Sequence, residues 1–440
     1  MPVACHLSCG VLALLACASA PDLSALPFVP AAPLTTERAG GTATLLPDGR
    51  VILSGGTSAA GHLSSVAIYD PSGGVWTSAQ NMAAARVDHT ATLLQDGRVL
   101  VAGGYNAGGV VAGAEVYDPL KGTWASVGAL NLSRRAHTAT LLSDGCVLVA
   151  GGYNGGSCHS SAELFVPSSG TWIAAGALLS PRRYHTATQL LNGQVLVAGG
   201  DNGTSALASA EIYDASRGVW TNTGNMAAAR KDHASVRLKD GRVLVAGGAA
   251  GSTCWASSET FDAADGSWSM SGAMAATRRF HVATLLPDGR VLVTGGFSGT
   301  AHLASAELFG AGAWTPAGVM GDPKRAHAVA VLGDGHVMVM GGFDGSARLS
   351  SAERYGCAVR LDYADGTAGC VLRTFYSGED RYGDLPAPVR PGFQFKGWRT
   401  GPGGTGERVG SESVITDEAD HVLYAEWAAV LPPRMVLYLR

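Results

Sequence analysis

The sequence predicts an all-β protein, a seven-bladed β-propeller followed by a small β-rich domain. Three observations predict it. The phrase DGRVLVAGG at 96–104 returns with small changes at 48–56, 144–152, 192–200, 240–248, 288–296 and 334–342. Its closing glycine pairs, from 55/56 to 341/342, lie 48 residues apart five times and then 46. Trp76, Trp124, Trp172, Trp220, Trp268 and Trp314 keep the same beat, as do His89, His137, His185, His233, His281 and His327. A period in the forties marks an array whose unit is one supersecondary element.

Each period reads as four short strands. In the second copy, HTATLL (89–94) alternates, QDG turns, and RVLVAGG (98–104) is a short apolar run. AEVYD (114–118) and GTWASV (122–127) follow, joined by the turn PLK. Four antiparallel strands make one blade, and blades stacked in a ring make a propeller. Gly is 61 of 440 residues, about twice the usual share, which fits many tight turns. The paired glycines, the YDP turn and the spaced Trp resemble the kelch repeat over residues 24–355.

Seven glycine pairs but six Trp leave the last blade one strand short. Moving VWTSAQNMAAAR (75–86) back one period lands on PFVPAAPLTTER (27–38), setting Phe28 at the place of Trp76, Leu34 at Met82 and Arg38 at Arg86. The N-terminal strand is therefore expected to complete the blade begun at 323–355. Closure hides both sheet edges, which otherwise invite aggregation.

Residues 1–20 read as an export signal: CGVLALLACASA (9–20) is apolar, ends in small residues and is too short to span a bilayer. LLAC (14–17) resembles a lipobox, which would make Cys17 the lipidated first mature residue; cleavage after Ala20 is the alternative. Export, to the cell envelope or the medium, is expected, with membrane attachment only through that lipid. Five later cysteines remain, Cys146, Cys158, Cys254, Cys357 and Cys370, an odd number without a CxxC. Cys357 and Cys370 bracket one hairpin and are the candidate disulfide.

From 357 to 428 the beat stops. YGDLPAPVRPGFQFKGW (382–398) and the closing LYAEW (423–427) resemble the InlB-type B-repeat of bacterial surface proteins. The resemblance implies a surface spacer or adhesion module without catalytic residues, with Gly392, Phe393, Gly397, Trp398, Tyr424 and Trp427 as core. Residues 429–440 form a tail of no assigned role.

The net charge of −4 gives no global attraction to nucleic acid. An arginine stands three residues before each repeat His, at 86, 134, 182, 230 and 278, with Arg38 and Lys324 at the two ends. Glu115, Glu163, Glu211, Glu259, Glu307 and Glu353 are their expected salt-bridge partners. The repeat histidines are expected to be structural, since a ring of equivalents is too wide to ligate one metal ion.

The position two before His is basic in five blades, Arg135, Arg183, Lys231, Arg279 and Arg325, without a matching acid set; Asp88 and Asp232 offset part of the charge. On the loop-rich face these side chains would collar the channel mouth, as a ligand site or as a solvated rim. Tyr105, Tyr153, Tyr184, Trp255, Phe280, Phe297 and Phe343 in the same loops could stack on sugar rings. Tyr184–His185 resembles the copper-binding pair of galactose oxidase. That family needs a second, Cys-linked Tyr at an equivalent place, and Gly40, Asp88, Ala136, Asp232, Phe280 and Ala326 stand there instead.

The expectation is a monomeric binding or adhesion protein for acidic polysaccharide or a surface protein, with no cofactor and no metal. The alternative is a carbohydrate-active enzyme of epimerase, lyase or oxidase type, with its site at the channel mouth. Fold alone does not separate the two.

Overall fold

A computed structural model describes residues 28–362, 370–375, 393–401, 405–410, 413 and 421–429. The export signal with Cys17, and 430–440 of the tail, lie outside the described residues.

Seven four-stranded antiparallel sheets are present. Blade 2 is representative: Thr90–Leu93, Val99–Ala102, Ala114–Asp118 and Thr123–Val127, in that order from the axis outward. The first strands of neighbouring blades touch all the way round, the seventh (Ala328–Val331) meeting the first (Thr42–Leu45). The second strands, VLVA in most blades, are buried on both faces because sheets cover both sides.

Blade 7 takes its outer strand from the other end of the chain. Phe28–Ala31 pairs with Ala352–Tyr355, Phe28 opposite Tyr355. Their ring centroids are 5.0 Å apart, matching the 5.1 Å of Tyr69–Trp76 in blade 1. The register read from the sequence therefore appears as a cross-strand aromatic pair.

Adjacent blades are stitched by the loop that joins them. Trp76 Nε1 donates to the Ala32 carbonyl in the preceding blade, and Trp124, Trp172, Trp220 and Trp268 make the equivalent bond. The Arg182 carbonyl accepts from Gly152 in blade 3 (2.8 Å). Its guanidinium reaches into blade 4, donating to the carbonyls of Gly199 and Ser209 and to Glu211 (2.5 Å). Six such buried ion pairs span 2.5–2.8 Å, five from arginine and the last from Lys324 to Glu353. Each glutamate also accepts a loop amide, as Glu115 does from Ala83 (2.7 Å). Arg38 is the exception. Ala67 stands where a glutamate would, so the Arg38 guanidinium donates to Gly55 and Ser65 with no carboxylate among the described residues, and burial pulls it down to about 10.

The glycine pair is forced by this stitch. At Gly103 (φ 65°) a Cβ would sit 2.5 Å from the Arg134 carbonyl and 2.7 Å from His137 Cε1. That histidine is itself buried, its Nε2 3.0 Å from Thr90 Oγ1 of the preceding blade. His89, His185 and His233 do the same with Thr42, Thr138 and Thr186, and His327 turns to Thr294.

The C-terminal residues form a five-stranded sheet ordered Cys370–Phe375, Cys357–Asp362, His421–Ala429, Phe393–Arg399, Arg408–Val409, with one parallel pair, Val359 opposite His421. Trp398 is buried as expected of a core residue, whereas Phe393 is exposed. The expected Cys357–Cys370 disulfide does not fit the register. Cys357 faces Phe375 and Cys370 faces Asp362, placing them at opposite ends of the ladder. That is roughly 17 Å at about 3.4 Å per residue, beyond the reach of a disulfide. Cys146, Cys158 and Cys254 are half-buried and unpaired.

Two outcomes are expected. Deleting residues 22–36 removes the closing strand with its buried Phe28 and should lower Tm on the order of 10 °C; an unchanged melting curve would exclude closure by this strand. The second concerns acid. Burial and the adjacent arginine or lysine push the six repeat histidines far down, to about 3 for His89, His233 and His327. Only the unfolded chain then binds their protons, so stability is complete above about pH 6.5 and falls as pH drops toward the folded-state values. Each contributes a loss on the order of 1 kcal/mol per pH unit. Denaturant midpoints should fall steeply between pH 6.5 and 4.5, and a flat profile there would contradict buried neutral histidines.

Candidate functional site: the channel mouth

The site is built by two rings of backbone. Gly40, Asp88, Ala136, Tyr184, Asp232, Phe280 and Ala326 all have φ between 50° and 68°. Six amide-to-carbonyl bonds of 2.8–3.2 Å link them head to tail around the channel, from Ala136 onto Asp88 through to Gly40 onto Ala326. Left-handed backbone costs a residue with a side chain about 1 kcal/mol or more, and these bonds hold it there. The second ring pairs the residue before each of these with the one following each glycine pair. Val87 bridges to Tyr105, Arg135 to Tyr153, Arg183 to Asp201, Lys231 to Ala249, Arg279 to Phe297, Arg325 to Phe343 and Ala39 to Thr57.

Cations and aromatic rings alternate along this rim. Arg135 lies over Tyr105 and Tyr153 (4.7 and 5.6 Å), and Arg183 over Tyr153 and Tyr184 (4.5 and 5.5 Å). Arg279 lies over Phe280 and Phe297, both at 5.4 Å, and Arg325 over Phe297 and Phe343 (5.5 and 5.4 Å). Such contacts are worth about 0.5–2 kcal/mol each and fix the guanidinium planes.

The collar is less uniform than its sequence. Asp201 accepts from Arg183 (3.3 Å) and from Lys231 (2.8 Å), and Asp88 stands 3.6 Å from Arg135. The expected lack of a matching acid set is therefore corrected by Asp201, which serves Arg183 and Lys231, while Asp88 offsets Arg135 as expected. Arg279 and Arg325 have no carboxylate partner among the described residues, and Arg279 Nε is buried without an acceptor. Burial and the charge of Arg279 push the Arg325 guanidinium down. The collar bases without a paired carboxylate are thus those of blades 6 and 7, with Asp232 in electrostatic reach of both.

Asp201 was missed because it takes the place that Tyr105, Tyr153, Phe297 and Phe343 fill in other blades. The signal was available: it directly follows a glycine pair. Trp255 lies outside the ladder, in the place occupied elsewhere by Leu63, Val111, His159 and Leu207, with its indole donating to the Ala229 carbonyl (3.0 Å). Asp232 faces Lys231, Arg279, Asp201 and Asp88; burial pushes its carboxyl up to about 6.

The donor set does not suit copper. Tyr184 stands in the axial ring, but His185 turns Nε2 to Thr138 (3.0 Å) and burial keeps its ring neutral. The equivalent axial positions supply two carboxylates, a phenyl ring, two methyls and a glycine. Among the described residues no three His, Cys, Asp or Glu side chains converge to hold a metal ion.

Adjacent arginines should behave oppositely. Arg182→Gln leaves Glu211 buried and unpaired, at a cost of about 3–5 kcal/mol. Arg183→Gln removes a partly exposed charge whose acid keeps Lys231, at about 1 kcal/mol or less. Equal losses in chemical denaturation would refute this division between structural and rim arginines.

The comparisons agree with the architecture. The model of the KLHDC2/KLHL20/DRC7 kelch-repeats domain matches residues 88–296, and that of the kelch motif matches 324–357. No curated protein matches the chain significantly. Among solved structures it is similar to one described as a novel fungal alcohol oxidase with catalytic diversity among the AA5 family, in complex with copper. Sequence identity is 20%, the TM-score 0.64, and the match covers 74% of this chain and 76% of that one. At that identity the likeness is one of fold. With seven blades closed into a ring and kelch models matching along it, the chain carries a kelch-repeat β-propeller.

Proposed function

We propose that this protein is exported and binds acidic polysaccharide through the loop-rich face of its propeller. In this reading Cys17 carries an anchoring lipid, and the C-terminal sheet is a B-repeat-like spacer or adhesion unit at the cell surface. One observation carries the choice of ligand: Arg279 and Arg325, without carboxylate partners, lie between the rings of Phe280, Phe297 and Phe343. Aromatic faces accept the C–H faces of pyranose rings, and the guanidinium fork matches a carboxylate or sulfate. Arginines already held by stacking lose little entropy on binding.

A carbohydrate-active enzyme is the second reading. Asp232, titrating near 6 in the channel mouth, is its one favourable observation, because a general acid or base works best near the operating pH. Turnover of a bound glycan would favour it; unchanged recovery would favour binding alone.

The two arcs of the rim should separate in a retention assay on immobilised polyuronate. Arg279→Gln with Arg325→Gln should weaken binding about tenfold or more, since each loses a charge-assisted contact. Arg135→Gln with Arg183→Gln should do less, because Asp88 and Asp201 already pair with those guanidiniums. Parent binding should weaken as salt is raised past about 0.1 M, where screening reaches about 10 Å. No retention at low salt, or equal retention by both double variants, would overturn the reading.

A further inference from the structure

Where blade 7 meets blades 1 and 2, the collar loses its large side chains. Ala39 and Val87 stand where the other blades carry Arg or Lys, Gly40 takes the axial place, and Thr57 replaces the rim aromatic. A cavity of about 420 Å³ opens there. Ligand pockets run from about 300 to 1,000 Å³, so it suits one or two sugar units rather than a long chain.

Its walls differ in chemistry. On the blade 7 side, Arg325 and Arg348 both lie against the ring of Phe343, at 5.4 and 5.6 Å, and Phe280 adds a second aromatic face. Neither guanidinium has a carboxylate partner among the described residues. Opposite stand Val87, Asp88 and the Thr57 hydroxyl, with Tyr184 also on the lining. The floor is backbone, closed by the Gly40 amide donating to the Ala326 carbonyl (2.8 Å).

We infer that this seam pocket holds a single uronic acid unit, with its carboxylate on Arg325 and Arg348 and its pyranose ring against Phe343. The inference rests on the acidic-glycan reading and narrows it to one subsite. Two arginines on one wall call for an anion. Asp88 also lines the cavity, which disfavours a dianion such as a phosphate monoester and favours a singly charged ligand. The Asp88 carboxylate and the Thr57 hydroxyl can accept hydrogen bonds from ring hydroxyls, which a simple carboxylate such as acetate does not offer. The phenyl face excludes water from the apolar side of the sugar.

The test is calorimetric titration of the full chain with glucuronate, galacturonate, glucose and glucose 6-phosphate, alongside polyuronate retention. A uronate should bind, glucose should not, and glucose 6-phosphate should bind more weakly than the uronate. Arg348→Gln removes an exposed side chain that makes no ion pair. It should lower uronate affinity about tenfold or more with an unchanged melting curve. Two results would overturn the pocket and leave the wider reading standing: polyuronate retained by a parent that binds no uronate, or uronate bound equally by Arg348→Gln. If the parent retains no polyuronate yet binds a uronate with loss in Arg348→Gln, the pocket stands and the rim reading fails.

Discussion

The ring depends on one buried cation per blade whose backbone belongs to one sheet and whose charge belongs to the next. Arg182 shows the constraint: its carbonyl is held by Gly152 and its guanidinium by Gly199, Ser209 and Glu211. A charge placed so deep is tolerated only with a carboxylate and several carbonyls around it, and that requirement propagates. It demands the glutamate in the third strand, the first glycine against which the arginine carbonyl packs, and a loop amide three residues before the charge that reaches the glutamate. The glycine pair that closes the repeated phrase is the imprint of this one contact, made in nearly every blade.

What was legible in the sequence was what the blades share. Strand order, closure by Phe28–Ala31 and the Arg–Glu pairs each repeat, and repetition separates a structural role from coincidence. What escaped was what the blades do not share. Asp201 pairs with two collar bases only because it occupies an aromatic's place, and the seam pocket exists because Ala39, Gly40 and Thr57 are small together. Such differences carry no period. Cys357 and Cys370 failed for another reason: bracketing a hairpin gives proximity in sequence, while ladder register decides proximity in space.

This division also sorts the residues by physical role. Arg182 and Arg183 are neighbours in sequence and equally cationic, yet one is sealed between sheets and the other lies over two tyrosine rings at the rim. The scaffold spends its symmetry on stability and leaves the mouth free to differ from blade to blade. Blades 3 to 5 pair their three collar cations with Asp88 and Asp201, while the collar arginines of blades 6 and 7 have no paired carboxylate among the described residues. The electrostatic field of the mouth is therefore lopsided although the fold beneath it is nearly sevenfold.

Closure by Phe28–Ala31 has a mechanical consequence. The strand runs antiparallel to Ala352–Tyr355, so the chain enters the disc at Phe28 and leaves it beside Tyr355, on one rung of the ladder. Traction applied between the two flanks does not cross the disc. It acts on that single rung, perpendicular to the strands, and loads the four paired positions one after another rather than together. A ladder peeled in this way yields at lower force than one sheared along its length. The six blades that close on themselves are spared, and the first element to give is the outer strand of blade 7, the blade that supplies the arginine wall of the seam. Tension along the chain and occupancy of that seam thus act on the same sheet.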